Sequence, residues 1–451
     1  MKKKFRLYGY SSPTDGTWSL DGNIIDEGED FRTKARYEEY KNCGFNTLLL
    51  QGNDPYEGED FEISQLKKNM DNAYAAGLHD IIVYDRRLYV CSQVVGGLIG
   101  EDKMFPTEQD LENFIRDCIK DYKQHPGFGG FMLVDEPRYD QFRSIGQIMR
   151  ATRKIDENIF VQCNLLPYAH GSGNAYTVNG AEKNVEDSYK EYLMQFLDET
   201  QAEYLMFDSY PMRKEDELGY LLLHSHIKAV EIVADFAKEH KKEFYFVCQT
   251  TAMWLGEKQK FRICDEADMY WQINCALMFG VHSLACFTYW NKQVNRTDGE
   301  MFLDGSAMIS RNGERNPLYY HLQKIQKSMQ PLLPFFENLQ YENSTYYCTL
   351  SNLPKVLQEV KQRKLRALED VQIEGKGSLL ITELKNLATG DDVLAFMNAN
   401  DPKGEWGDLT ITATYVGNAY GYISLKEDEK EVSLHNFTLA PGDGLFIKIK
   451  N

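Results

Sequence analysis

Residues 107–137 read TEQDLENFIRDCIKDYKQHPGFGGFMLVDEP, a helical pattern followed by a short apolar run. The first part repeats apolar residues at the three- and four-residue spacing of an amphipathic helix, and residues 130–134 are apolar throughout, as in a buried parallel strand. The same succession of strand and helix recurs from residue 5 to about residue 330. It predicts an α/β fold in which helices cover a parallel sheet.

The strand candidates in this region number eight. They are residues 5–10, 47–51, 80–84, 130–134, 159–165, 204–207, 244–248 and 283–288. Seven helix patterns separate them and an eighth follows at residues 317–333, which matches a (β/α)8 barrel, or TIM barrel, in count and length. The alternative is a doubly wound open sheet, with about six strands and usually a glycine-rich phosphate turn. The HPGFGGF of residues 125–131 precedes its strand, so it does not indicate a nucleotide site.

The pattern changes after Leu333. Residues 340–451 alternate polar and apolar residues in short runs that are separated by turn formers such as NDPKGEWGD and APGDG, which predicts an antiparallel β-sandwich. We therefore expect a catalytic barrel over residues 1–335 and a β-sandwich domain over residues 336–451. A charged stretch at residues 355–370 is interpreted as a surface helix inside the second domain.

Charge and cysteine content limit the partners. The chain has 451 residues, 50 Lys+Arg against 68 Asp+Glu, a net charge of −18, and nine cysteines without a C-x-x-C pair. A surface this acidic repels phosphate backbones and anionic lipids, so we expect neither nucleic acid nor membrane as a partner. The cysteines and the lack of an apolar secretion segment favour a reducing, cytoplasmic location. No metal site or cofactor is predicted, and the oligomeric state stays open.

In a barrel of this type the reacting groups lie at the carboxyl ends of the strands. The polar and aromatic residues found there are Asp85, Arg86, Asp135, Glu136, Asn164, Asp208, Tyr210, Gln249, Trp254, Tyr289 and Trp290. Carboxylates for proton transfer, amides for hydroxyl groups and aromatic faces for a pyranose ring together indicate a carbohydrate substrate. Each single acid could instead cap a helix, Asp135 in particular could be a support residue, and the aromatics could pack the end of the barrel.

Glu136 is the strongest catalytic candidate. It ends the apolar strand GFMLVDEP, where partial burial would raise the pKa of its carboxyl group and keep it protonated as a general acid.

Four segments, FMLVDEPRYDQF, NLLP, FDSYP and EADMYWQINCALMFGVHSLACFTYW, resemble a bacterial group of glycoside hydrolases related to clan A barrels and, more loosely, to family 42 β-galactosidases. The resemblance covers residues 5 to about 335. It implies that Glu136 is the acid/base residue, with Asp135 where the clan usually has Asn.

The sequence departs from the clan at strand seven. The resemblance implies a nucleophilic Glu there, but the sequence has Gln249, and an amide cannot form a glycosyl ester. Glu257 lies about eight residues beyond the strand, so Asp208 is the better second carboxylate. We expect an inverting pair, with the carboxyl groups of Glu136 and Asp208 roughly 6.5–9.5 Å apart.

The sequence thus predicts a glycoside hydrolase with Glu136 as general acid and Asp208 as second carboxylate. Asp85, Arg86, Asp135, Asn164, Tyr210, Gln249, Trp254, Tyr289 and Trp290 would bind the substrate. One alternative is a carbohydrate-binding barrel without catalysis. An isomerase or aldolase barrel is a third possibility, but it would need a Schiff-base lysine or a phosphate site, and no lysine falls inside a predicted strand core.

Overall fold

The computed structural model describes residues 4–20, 23–26, 29–51, 63–168, 173–214, 219–255, 258–291, 301–303, 306–349, 363–426 and 432–450. The chain divides into two compact units: residues 1–2, 6–18 and 24–208 form the first, and residues 3–5, 19–23 and 209–451 form the second. The domain boundary predicted at residue 335 lies inside the second unit and stays a prediction.

The first unit contains six of the predicted strands, at Arg6–Gly9, Leu48–Gln51, Ile81–Tyr84, Phe128–Asp135, Phe160–Asn164 and Tyr204–Asp208. Two further short strands, Thr17–Leu20 and Asn23–Asp26, pair with each other. The second to fifth of the six pair in parallel in chain order. The Leu165 N–H continues this order by donating to the Met206 carbonyl at 2.8 Å, and a parallel bridge joins Leu165 to Phe207. Asp135, Asn164 and Asp208 therefore end neighbouring strands at one edge.

The helices of this unit are Lys34–Asn42, Ile63–Ala75, Arg86–Ser92, Glu108–Tyr122, Phe142–Ile155, Gly173–Tyr176 and Val185–Thr200, with single 3-10 turns at Tyr139–Gln141 and Gly180–Glu182. The helix Glu108–Tyr122 begins at a capping box, in which Thr107 accepts from the Asp110 N–H and Asp110 accepts from the Thr107 N–H. Its buried face follows the predicted spacing at Leu111, Ile115 and Cys118.

The second unit contains the last two predicted strands, Glu243–Gln249 and Ser283–Phe287, which pair in parallel. Its helices are Gly219–Glu239, Glu266–Met278, Pro317–Met329 and Leu333–Phe336, with a 3-10 turn at Gln330–Leu332, and Met253–Leu255 pairs with Lys258–Phe261 and Met301–Leu303 in an antiparallel sheet. All eight predicted parallel strands and all eight predicted helices are thus present. Strand pairing among the described residues does not form a closed barrel.

The C-terminal part consists of two antiparallel sheets. One contains, in order, Leu339–Cys348, Ser378–Asn386, Asp392–Asn398, Gly444–Lys450 and Asn418–Ile423, and the other Leu368–Glu374, Leu409–Tyr415 and Asn436–Leu439. Apolar side chains of both sheets, among them Phe396, Ile411 and Ile447, form one buried cluster. This continuous core explains why the alternating sequence folds here.

The prediction of a helix at residues 355–370 is wrong for its C-terminal part. Residues 363–367 are not helical, and Leu368 begins the strand Leu368–Glu374, which the sequence analysis missed. Glu369, Asp370 and Glu374 occupy three of the four exposed positions of this strand, so its composition resembles that of a surface helix. Residues 355–362 lie outside the described residues. Among the described helices, none is both long and apolar enough to cross a membrane.

Candidate active site

Three carboxyl groups meet at the strand ends of the first unit, and one asparagine links two of them. Asn164 donates from Nδ2 to Asp135 Oδ1 at 2.8 Å and to Asp208 Oδ1 at 2.9 Å. Asp135 and Asn164 are partners in the register of adjacent strands, and Glu136 donates its backbone N–H to the Asn164 carbonyl at 2.9 Å. The fold thus brings together four of the predicted site residues, Asp135, Glu136, Asn164 and Asp208.

The backbone of Glu136 turns its side chain toward this cluster. Neighbouring side chains of a strand point to opposite faces, so Asp135 and Glu136 should diverge. Glu136 instead has a φ of 47°, in the left-handed region that only a few per cent of non-glycine residues adopt. Its carboxyl group consequently interacts with Asp208 through a hydrogen bond and with the charge of Asp135.

The segment beyond Glu136 is held by a tyrosine. The Tyr192 hydroxyl donates to the Pro137 carbonyl at 2.7 Å and accepts from the Leu166 N–H at 3.0 Å. Tyr192 lies in the helix Val185–Thr200 and is fully buried. It therefore connects the segments that follow two adjacent strands and supports the left-handed turn.

Both members of the Asp135–Glu136 pair have raised pKa values. Loss of solvation is the main cause of the rise to about 9 at Glu136, and the charges of Asp208 and Asp135 and the hydrogen bond with Asp208 add to it. Desolvation followed by the charge of Asp208 raises the pKa of Asp135 to about 7, although the hydrogen bond from Asn164 lowers it. Glu136 therefore carries its proton at neutral pH, as a general acid must.

Exposure differs within the cluster. Asp208 is 3% exposed and Asn164 is 2% exposed, whereas Asp135 is half-buried and Glu136 is exposed. Glu136 is thus surrounded by enough protein to lose solvation and still meets solvent.

The contact between Glu136 and Asp208 contradicts the predicted separation of roughly 6.5–9.5 Å. A strand pattern does not reveal the left-handed turn at Glu136, which brings its carboxyl group toward Asp208. A hydrogen-bonded pair leaves no room for a water between the carboxyl groups. The structure therefore gives no support to an inverting pair.

Sequence reasoning missed the polar residues of the first strand. Tyr10 lies just beyond Arg6–Gly9, and the charges of Asp135 and Asp208 contribute to the rise of its pKa after desolvation, the main cause. Its ring stacks on Tyr8 at 6.3 Å, and both hydroxyl groups lie beside Gln162. The predicted site residues include none that follows the first strand. The polar run Tyr10-Ser11-Ser12 would have indicated these residues had the first strand been included.

Asp85 is occupied by structural contacts. Its side chain is fully buried and caps the helix Arg86–Ser92 by accepting from the Arg87 N–H at 2.8 Å. It also forms an ion pair with the Arg87 guanidinium at 2.6 Å and accepts from the Tyr122 hydroxyl at 3.0 Å. These contacts correct its interpretation as a substrate ligand, because they leave its carboxylate no open side. Arg86 is half-buried at the start of the helix, and its substrate contact stays a prediction.

Gln249 is likewise a structural residue. Its side chain is fully buried, accepts from the Met212 N–H at 2.9 Å and donates to the carbonyls of Met212, Arg262 and Thr251 at 3.2, 3.3 and 3.4 Å. These bonds connect three backbone segments of the second unit. Because its amide group is hydrogen-bonded to backbone groups, Gln249 does not bind a sugar as predicted.

The predicted aromatic platform is mostly buried. Tyr289 and Trp290 are 0% exposed, so neither ring offers a face to a sugar, and the expectation that Trp290 stacks on substrate is wrong. Tyr210 is half-buried and stacks on Phe287 at 5.8 Å, and Trp254 is half-buried in Met253–Leu255. Glu257, the other carboxylate considered near the seventh strand, lies outside the described residues.

Cysteines and metal ligands give no further site in the part of the chain that the structure describes. All nine cysteines are free, eight of them buried. Across the described ranges, no group of three or more His, Cys, Asp or Glu side chains is arranged to hold a metal ion.

Comparison with known proteins shows what this fold resembles. No family model matches the sequence, and no curated protein matches it. Among solved structures, a catalytic mutant of Gan42B, a family 42 β-galactosidase from G. stearothermophilus, aligns with a TM-score of 0.56 at 8% identity, over 92% of this chain and 95% of that one. A family 5 glycoside hydrolase from Bacteroides vulgatus aligns with a TM-score of 0.53 at 12% identity, over 99% of this chain and 89% of that one.

A β-galactosidase from the psychrophilic Marinomonas ef1 aligns with a TM-score of 0.45 at 11% identity over 73% of this chain, which spans only 60% of that enzyme. The fold of this chain resembles the folds of the family 42 and family 5 enzymes. The resemblance drawn from the four sequence segments is therefore confirmed at the level of the fold.

Proposed function

We propose that the protein is a glycoside hydrolase that cleaves a small oligosaccharide or glycoside, with Glu136 as the general acid. The observation that carries this proposal is the raised pKa of a solvent-exposed Glu136 at the end of a central parallel strand. The similarity in fold to glycoside hydrolases of families 42 and 5 supports it.

Glu136 protonates the departing glycosidic oxygen. Asp208, in contact with it, supplies the negative charge that keeps the proton on Glu136 until the substrate oxygen competes for it. General acid catalysis of this kind contributes about 10²–10⁴-fold to the rate. Asp208 acts as the charge partner of Glu136. It does not activate a water molecule between the two carboxyl groups, as the base of an inverting enzyme would.

We also propose a two-domain architecture. The eight parallel strands would form the (β/α)8 barrel of the first domain, and the two antiparallel sheets with their common core would form the β-sandwich of the second. A carbohydrate is the proposed partner, and the cytoplasmic location stays a prediction from the sequence.

A carbohydrate-binding protein without catalysis is the second candidate. The buried amide of Gln249, which occupies the predicted position of the nucleophile, favours it. Such a protein would bind sugars through the same carboxylates and release them unchanged.

Hydrolysis of a panel of aryl glycosides distinguishes the two. We expect the wild type to release the phenol from at least one glycoside, Glu136→Gln to lose about 10²-fold or more of that rate, and both to bind the sugar. Glu157→Gln is the matched control, because Glu157 is an exposed residue that precedes the strand Phe160–Asn164 and lies away from its carboxyl end. Binding without release of phenol would establish the second candidate, and full activity of Glu136→Gln would refute the role of Glu136.

A further inference from the structure

Neither Asp208 nor Gln249 is well placed to attack a sugar. A retaining mechanism needs a carboxylate that reaches the anomeric carbon, at about 5–5.5 Å from the acid. Asp208 is buried, accepts from Asn164 and is in contact with the acid itself. Gln249 is an amide whose polar atoms are all used by the backbone. The nucleophile is therefore expected to come from elsewhere.

One carboxylate oxygen of Asp135 is available to a ligand. Its Oδ1 accepts from Asn164, whereas within the described ranges its Oδ2 accepts no hydrogen bond and is not buried. The left-handed turn places it on the same side as Glu136. The cluster thus presents an acid and, next to it in sequence and space, a carboxylate oxygen that can accept an N–H from a ligand.

A second unused group lies beside them. Asn164 Oδ1 is buried and has no hydrogen-bond partner among the described residues, which is unfavourable for a buried acceptor. A ligand that donates hydrogen bonds would satisfy it. Both open groups are acceptors, so they suit a ligand that donates hydrogen bonds, and the N–H of an amide substituent on a sugar is such a donor.

We propose that the substrates are glycosides of 2-acetamido-2-deoxy sugars, and that the carbonyl oxygen of the substrate's own acetamido group displaces the leaving group while Asp135 holds its N–H. This inference rests on the proposed function and adds to it a substrate class and a nucleophile. Substrate assistance is an established solution for glycosidases that lack a nucleophilic carboxylate.

The reaction balances without another reagent. Glu136 gives its proton to the glycosidic oxygen, which leaves with the electron pair of its bond to the anomeric carbon. The acetamido oxygen donates a pair to that carbon and closes an oxazolinium ring, and Asp135 accepts a hydrogen bond from the ring N–H. Water then adds to the anomeric carbon and returns a proton to Glu136, while the ring opens and its electron pair returns to the acetamido oxygen. Two inversions give net retention.

The test compares 4-nitrophenyl 2-acetamido-2-deoxy glycosides with the corresponding 2-hydroxy glycosides. We expect kcat/KM to favour the acetamido substrates by about 100-fold or more, because the internal nucleophile acts at high effective concentration. We also expect kcat to fall further with each fluorine added to the acetyl group, since fluorine weakens the carbonyl oxygen as a nucleophile. A thiazoline analogue of the oxazolinium ring should inhibit.

Asp135→Asn is the decisive variant. It should lose kcat on the acetamido substrate and affinity for the thiazoline, because an amide cannot stabilise the developing charge on the ring nitrogen. Asp156→Asn is the matched control, since Asp156 pairs with Lys123 at 2.8 Å outside the cluster and should behave as wild type. Thermal unfolding of both variants checks that the fold is kept.

The outcomes separate this inference from the proposed function. Equal or faster cleavage of 2-hydroxy glycosides, without inhibition by the thiazoline, would overturn the inference and leave the hydrolase proposal intact. Thiazoline binding that depends on Asp135 but without hydrolysis would support the recognition of the acetamido group and overturn its catalytic role. Neither hydrolysis nor thiazoline binding would overturn both.

Discussion

Asp135 and Asn164 end two adjacent parallel strands as partners in register, and the Asn164 Nδ2 donates to Asp135 Oδ1 at 2.8 Å. The same nitrogen donates to Asp208 at 2.9 Å. The amide nitrogen of asparagine donates two hydrogen bonds and cannot accept one. The two carboxyl oxygens that face it are therefore acceptors. The hydrogen bond from Asn164 therefore favours the ionised form of Asp135, whose pKa of about 7 lies below the pKa of about 9 of Glu136.

Replacing Asn164 by Leu should raise the pKa of Asp135, because the hydrogen bond from Asn164 lowers it. Hydrogen bonds to charged groups are worth about 1.5–3 kcal/mol, so the acidic limb of the pH–rate profile should move up by about 1–2 pH units. Asn69→Leu is the control, since Asn69 is also buried in the first unit but its Oδ1 accepts from Gln65 on its own helix. An unchanged acidic limb would show that Asn164 has only a packing role.

Replacing Gln249 by Glu should destabilise the protein and should not create a nucleophile. A carboxylate there would face three carbonyl oxygens that now accept from the amide. We expect a loss of at least ~2 kcal/mol in the free energy of unfolding, measured with urea. Gln249→Met, which removes the bonds without adding charge, should lose less. A gain of hydrolysis in the Glu variant would contradict the structural role of Gln249.

Glu136 adopts a left-handed backbone, which costs roughly 1–2 kcal/mol for a residue with a side chain and little for glycine. Glu136→Gly should therefore unfold at a higher urea concentration than Glu136→Ala, although both lose the acid. The opposite order would show that the backbone of residue 136 is not under strain.

The pH dependence of stability gives another test of Glu136. Its folded pKa is raised above its ordinary value of 4.5, so between that value and the folded pKa the folded state binds more protons than the unfolded state. Stability should consequently fall as the pH rises through this range. Urea unfolding of Glu136→Gln should show a shallower decline, and an identical slope would mean that the folded and unfolded pKa values are equal.

The strands and the main site residues could be read from the sequence because both depend on local patterns. Apolar runs such as residues 130–134 are buried as a whole, and parallel strands place their carboxyl ends at one edge, which predicts that Asp135, Asn164 and Asp208 meet. The strand Leu368–Glu374 was missed because three of its four exposed positions carry charges.

The remaining features depend on contacts that a sequence pattern does not contain. The left-handed turn at Glu136 brings two neighbouring side chains to one side, whereas the strand period predicts that they diverge. The amide of Gln249 is held by backbone groups at Met212 and Arg262, far away in sequence. Tyr289 and Trp290 follow a strand as ligand-binding aromatics often do, but tertiary packing buries them.

The central claim is that Glu136 keeps its proton at neutral pH, and infrared difference spectroscopy measures this directly. The carboxylic acid band present in the wild type and lost in Glu136→Gln should persist at neutral pH and disappear on titration with a midpoint near the pKa of about 9. At this pH exposed carboxyl groups are ionised and give no such band. A midpoint near the ordinary value of 4.5 would contradict the account, because Glu136 would then have no proton to donate to a leaving group.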